Sequence, residues 1–334
     1  SNGVLTNCYS ETIPYGIELK DNERCLTEVL HDADYHQGYI GKLHLNLPKE
    51  EHVPYTEGWR GKPGEGTFWD AYTPPGPGRH GVDFWYSYGC CDQHLTPHYW
   101  TGEAGVDERT DVTEWSVKHE TDVAIDYIRN SDCTFRDPEK PFALFIAHNP
   151  PHMPFNQVPS EYRNAYLDKT AADLLNRPNV AQEDTDHPAF TSVENYFAAI
   201  TGIDEQFGRI LTVLEDEGLT DDTIVVFTSD HGDMMGSHGL MGKGVWYDES
   251  MLVPFIIRWP GKIPSGKDDL LFGVPDIMPT LLSLMGLSQS VPSGIEGSDY
   301  SKAFLGESCD RPRSAFYFFS APQLPDWPDR RGVR

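Results

Sequence analysis

The sequence predicts an α/β fold, a doubly wound and mostly parallel sheet flanked by helices. Three observations predict it. Residues 141–147, 223–229 and 253–259 are short apolar runs with little polar alternation, as in strands buried on both faces of a parallel sheet. Residues 26–33, 117–130 and 193–217 place apolar side chains at helical spacing. Polar groups then crowd just past two of the apolar runs: His148 to His152 after the first, and Asp230-His231-Gly232-Asp233 after the second. Open α/β sheets bind ligands beyond the carboxyl ends of their strands.

In chain order, residues 1–25 are polar and punctuated by glycine and proline, a surface loop. Leu26, Val29, Leu30 and Ala33 follow an i, i+3, i+4, i+7 pattern and predict a short amphipathic helix over 26–33. Residues 39–45 read as a strand that carries Lys42 and His44 on one face, two residues apart. Regular periodicity then fades, and residues 46–116 form a long aromatic Gly/Pro-rich insertion holding Trp59, Trp69, Trp85, Trp100 and Trp115. So long an insertion in a compact domain is usually functional. Each tryptophan taken singly reads as local core, and at least one is expected on a substrate-facing wall. Helices are predicted over 117–130, 161–176 and 193–217, the last ended by Gly218 as a C-cap. A further helix over 276–285 has Asp276 placed to cap it and Pro279 in its first turn. Residues 314–319 look like a last strand.

The 334 residues carry 26 Lys plus Arg against 52 Asp plus Glu, a formal net charge of −26. Such a surface repels nucleic acid and anionic membranes, so neither is an expected partner. It also works against an anionic substrate, whose site must be built from a local cation and a few basic side chains. No apolar run reaches the length of a membrane span, and no signal peptide is visible at Ser1. Six cysteines lack metal-type spacing and are expected mainly as buried thiols, with one or two disulfides open if the protein is exported.

Asp offers hard oxygen and His an imidazole, so the Asp230–Asp233 turn suits a divalent cation. Lys243 on the following loop implies an anion shared with that cation, because two positive groups would otherwise repel. The run from Thr228 to Lys243, followed by Val253-Pro254-Phe255-Ile256-Ile257, closely resembles the sulfatase branch of the alkaline-phosphatase-like superfamily. Gly38-Tyr39-Ile40-Gly41-Lys42-Leu43-His44-Leu45, Pro151-His152-Met153-Pro154 and Asp276-Ile277-Met278-Pro279-Thr280-Leu281-Leu282 resemble three further sulfatase signatures, in the family's order. Two departures from the family's pattern are mild: Asp34 stands at a usual helix-ending glycine, and Leu43 at a common tryptophan.

The resemblance implies that Asp230 and His231 ligate a divalent cation, Ca²⁺ foremost, with Mg²⁺ or Mn²⁺ open. It implies that Lys42 and Lys243 hold sulfate oxygens, with Lys243 also near the leaving oxygen, and that His44 and His152 donate hydrogen bonds or a proton. His238 either lines the pocket or braces its loop, and Asp233 and Asp248 read as solvated acids. The expected substrates are small-molecule or saccharide sulfate esters. Localisation by resemblance is periplasmic, secreted or lysosome-like.

Sulfatases attack with a formylglycine made by a formylglycine-generating enzyme from Cys or Ser in a Cys/Ser-x-Pro-x-Arg motif. No such motif occurs in the chain. The resemblance therefore implies a single incomplete α/β domain over 1–334, without the family's first strand and its Asp-Asp metal pair, its nucleophile segment or its C-terminal subdomain. Little catalysis and weak metal binding are expected of these residues alone. Two other readings stand beside the sulfatase: a phosphonate or phosphate ester hydrolase of the same superfamily, and a catalytically inactive anion-binding module. Gly41-Lys42-Leu43-His44 leans towards sulfate.

Overall fold

The structure is a computed structural model that describes residues 19–46, 70–319 and 330–333. Helix α1 (Leu26–Asp32) forms where the apolar spacing predicts it, and Val29 and Leu30 are its buried face. Asp34 just beyond has φ 65°, so the left-handed turn that the sulfatase pattern gives to glycine is made here by aspartate. The chain returns as β1 (His36–Lys42), an interior strand of a five-stranded sheet ordered β4-β3-β2-β1-β5. β2 (Phe84–Tyr88) lies parallel to β1 on one side and β5 (Phe142–Ala147) parallel to it on the other. β3 (His98–Thr101) and β4 (Thr110–Asp111) extend the β2 edge antiparallel.

This corrects the expectation of an irregular insertion. Its described part, from residue 70 onward, supplies three of the sheet's five strands. Trp85, Trp100 and Trp115 are 3%, 1% and 4% exposed, so all three are core rather than substrate wall. Trp59 and Trp69 lie outside the described residues.

One face of the sheet is covered by α2 (Ser116–Arg129) and the long α5 (Pro188–Asp216), reached through two single-turn helices, α3 (Ser160–Arg163) and α4 (Ala171–Leu174). The expected continuous helix over 161–176 is thus broken. It turns 3-10 at Asn164–Tyr166 and restarts where Thr170 caps Asp173 reciprocally. Even-numbered residues of β5, Phe142, Leu144 and Ile146, pack against Ile125, Ile128, Ile210 and Leu214 of the two helices. Odd-numbered Ala143 and Phe145 pack on the opposite face with α1 and with α7 (Val274–Leu284). α7 starts two residues before its predicted bound, and Asp276 sits inside the first turn, its carboxylate accepting from the Gly273 amide at 2.9 Å.

β6 (Val225–Thr228) and β7 (Phe255–Arg258), with α6 (Asp248–Met251) between them, form an antiparallel pair. The parallel, doubly buried setting expected for these runs is not found. Among the described residues they make their own two-stranded sheet and are half-buried, with Ile256 54% exposed. α8 (Ser301–Phe304) leads to a last antiparallel pair, β8 (Phe316–Phe319) with β9 (Arg330–Val333). No disulfide joins the described cysteines. Among the described residues, no helix is long and apolar enough to cross a membrane.

Candidate active site

The site forms where β1, β5 and β6 end. At the end of β1, Gly41 has φ 101°, and a Cβ there would lie 2.3 Å from the Ala147 carbonyl oxygen of β5. Only glycine fits this close approach. The backbone bends, Lys42 closes the strand, and His44 follows with φ 49°. The strand therefore ends before His44, and strand alternation does not put the two side chains on one face. His44 is held instead through its amide, which donates to the Gly89 carbonyl at 3.0 Å.

The Lys42 ammonium donates to the Asn149 Oδ1 at 3.0 Å. Asn149 is buried just past β5, and its Nδ2 donates to the Cys91 carbonyl at 2.7 Å. The segment bearing Cys91 is fixed in turn by the buried Asp70, whose Oδ1 accepts from the amides of Gly89 and Cys90, each at 3.0 Å. The other Asp70 oxygen lies 2.8 Å from His98 Nε2. Burial opposes charge on His98, but the hydrogen bonds and charge of Asp70 and Cys91 hold its pKa up to about 10. Sequence reasoning missed Asn149 and the Asp70–His98 pair. An Asn between a strand and two prolines reads as a turn, and the spacing of Asp70 from His98 carries no signal.

His152 stands opposite Lys42. Its Nδ1 lies 2.8 Å from the Met153 carbonyl oxygen, which fixes that nitrogen as the protonated one. Its Nε2 therefore accepts from the Lys243 ammonium, 3.0 Å away. Burial, then the Lys42 and Lys243 charges, push the His152 pKa down to about 3. In this arrangement His152 donates through Nδ1 to the Met153 carbonyl and accepts through Nε2 from Lys243. Lys243 opens to solvent, yet desolvation lowers its pKa and the Lys42 charge adds to the effect. The Lys42 and Lys243 charges thus oppose each other.

Asp230 and His231 project from the end of β6. His231 Nδ1 lies 2.9 Å from the Gly232 carbonyl oxygen, which leaves Nε2 facing Asp230 Oδ2 at 3.2 Å. Asp230 Oδ2 and the unprotonated His231 Nε2 thus offer a hard oxygen and an imidazole nitrogen side by side, the donors that would hold a divalent cation. Asp230 is also the exposed member, open to a ligand from solvent. Gly232 makes the turn possible, since a Cβ there would sit 1.9 Å from the Glu249 carbonyl oxygen.

The neighbouring acids differ. Asp233 accepts from the amides of Met235 and Gly242 at 2.9 and 3.1 Å, so it braces the loop instead of being simply solvated. Asp248 opens α6. His238 stacks on Tyr247 with ring centroids 3.9 Å apart, and its Nε2 lies 3.0 Å from Asn179 Nδ2. Of the two roles open to His238, these contacts describe the bracing one.

Residues 3–287 match the sulfatase family. The chain belongs to the sulfatase family. An endo-4-O-sulfatase of Bacteroides thetaiotaomicron is 41% identical across 100% of this chain and 66% of its own length. An ulvan-active sulfatase of Formosa agariphila is 28% identical across 93% of this chain and 55% of its own length. A solved structure from work on the metabolism of multiple glycosaminoglycans by Bacteroides thetaiotaomicron superposes with a TM-score of 0.83 at 37% identity, covering 95% of this chain and 66% of that one. Sulfatases thus match this chain in sequence and in the alkaline-phosphatase-like α/β fold, while the chain spans 66% and 55% of the two relatives' lengths.

Proposed function

We propose that this sulfatase hydrolyses sulfate esters of carbohydrates, with 4-O-sulfated saccharides as the first class to try. The observation that carries the reading is the Lys243–His152 contact facing Lys42. In a chain of net charge −26, the Lys243 ammonium contacts a neutral imidazole on which the Lys42 charge also acts. Holding the two lysine charges together costs repulsion unless a tetrahedral anion sits between them. The 41% identity to an endo-4-O-sulfatase supports the saccharide ester.

Lys42, fixed by Asn149, binds a non-bridging sulfate oxygen. Lys243 protonates the leaving alcohol oxygen, its lowered pKa easing that transfer. His152, kept neutral, takes the hydrogen bond from Lys243 and orients its ammonium. A divalent cation, with Ca²⁺ proposed and Mg²⁺ or Mn²⁺ as alternatives, would neutralise sulfate charge from Asp230 and His231. The nucleophile is proposed to be a formylglycine, installed by a formylglycine-generating enzyme outside these 334 residues. His44 is proposed to shape the pocket wall, and His238 to brace the loop that carries Lys243.

The test is sulfate release by the full-length protein, matured with a formylglycine-generating enzyme and supplied with Ca²⁺, from a 4-O-sulfated oligosaccharide and a matched phosphate ester. Sulfate release is expected. Faster phosphate release would move the assignment to phosphate chemistry, and release of neither would leave an anion-binding module.

A further inference from the structure

Two exposed apolar side chains flank Lys243 and His152 in the sequence and take no part in the chemistry above. Trp246 is 55% exposed and Met153 is 56% exposed. Met153 follows His152 directly, and Trp246 stands three residues after Lys243. Because Lys243 and His152 meet at 3.0 Å, both apolar groups are tied to the same polar contact. A lone exposed tryptophan on a surface would need no explanation. This one stands on a braced loop. Its ring lies 5.6 Å from that of Tyr247, which stacks on His238 at 3.9 Å with planes 16° apart. His238 donates its amide to the Asn179 carbonyl at 2.8 Å, and Asn179 Nδ2 donates to Glu249 Oε1 at 2.7 Å. The tryptophan is therefore presented on a rigid support, the condition under which an aromatic surface binds with little loss of conformational freedom.

Resting on the carbohydrate-sulfatase reading, we propose that Trp246, with Met153, forms a stacking platform for a sugar ring of the substrate next to the sulfate held by Lys42 and Lys243. A pyranose ring has an apolar C–H face and a polar hydroxyl edge. An indole plane covers the C–H face and leaves the hydroxyls in water, while the lysines take the sulfate. The platform makes the site select sulfated saccharides over small sulfate esters that have no ring to lay on it.

The test compares Trp246→Ala, Trp246→Phe and Met153→Ala with the unmodified full-length protein. It titrates each with inorganic sulfate, a 4-O-sulfated oligosaccharide and the same oligosaccharide without sulfate, with thermal melting as the folding control. Trp246→Ala is expected to weaken the sulfated oligosaccharide about tenfold, the size of one lost aromatic contact. Trp246→Phe should keep most of the affinity, Met153→Ala should lose a few-fold, and inorganic sulfate should bind all four proteins alike. Equal oligosaccharide affinity in Trp246→Ala, with inorganic sulfate still bound, overturns the platform and leaves the sulfatase reading standing. An unmodified protein that binds neither sulfate nor sulfated saccharide overturns the anion pocket, and the platform with it.

Discussion

Asn149 couples Lys42 to the backbone of Cys91. Its carboxamide oxygen takes the ammonium at 3.0 Å, and its amide nitrogen donates to the Cys91 carbonyl at 2.7 Å. A buried carboxamide that satisfies both ends in this way fixes where the lysine charge stands. Asn149→Ala removes both bonds at once and leaves a buried carbonyl unsatisfied. The expected stability loss is about 1–3 kcal/mol, and inorganic sulfate affinity should fall several-fold because Lys42 is released. Asn149→Asp keeps the acceptor, so it should retain Lys42 while losing the bond to Cys91. Calorimetric titration with sulfate and thermal melting check both.

Lys243 faces the pocket from the loop after β6, so its charge can go without disturbing the core. Lys243→Ala in the complete enzyme is expected to lower kcat by about a hundredfold or more, with an unchanged melting temperature. Activity within a few-fold of the unmodified enzyme would remove Lys243 from the reaction.

The buried His98–Asp70 pair makes stability depend on pH on the alkaline side. The folded pKa of His98 is raised to about 10 against an unfolded value of about 6.5. Its contribution is therefore fully present below about pH 6.5 and is lost as pH rises through about 10. Melting temperatures across that window should fall in the natural protein. His98→Gln should start lower and decline less steeply. Parallel curves would show that the pair does not titrate in this range.

The turn at Gly232 is sterically closed to any side chain, with the Glu249 carbonyl oxygen 1.9 Å from a built Cβ. Gly232→Ala must push the β6 end away from α6 and carry Asp230 and His231 with it. The expected result is weaker Ca²⁺ binding by at least tenfold, comparable to Asp230→Asn, together with a stability loss of about 1–3 kcal/mol from overpacking. Isothermal titration with Ca²⁺ measures it.

The helices were legible because each carries its own evidence: Leu26, Val29 and Leu30 announce α1, and the apolar stripe of α5 needs no partner to be read. Strand direction was not legible. The apolar runs at 225–228 and 255–258 are compatible with either orientation, and the antiparallel pairing of Val226 with Ile257 depends on a tertiary choice. β2 and β3 were hidden because both faces are covered: Trp85 and Ser87 are buried as well as Tyr88, and His98, Tyr99 and Trp100 are buried in succession, which erases the alternation a strand normally shows. At the site, Lys42, His152, Asp230, His231 and Lys243 were singled out through the sulfatase-like motifs that carry them, and the structure brings Lys243 to His152 and Asp230 to His231. His44 was misplaced because the strand ends at Lys42 and His44 itself has φ 49°, which breaks the two-residue rhythm. Asn149 escaped notice because its role exists only through Lys42, 107 residues away.

That separation has a further consequence. The Lys42–Asn149 contact joins positions 107 apart, and the Lys243–His152 contact joins positions 91 apart. An anion bridging the two lysines would fasten the region after β1 to the loop beyond β6, two stretches no local segment connects. Such a ligand recognises only the finished fold, so by mass action it resists every opening that parts the lysines. Inorganic sulfate should then slow amide exchange simultaneously near residues 42, 149 and 243, reporting on the integrity of the chain through a single small ion.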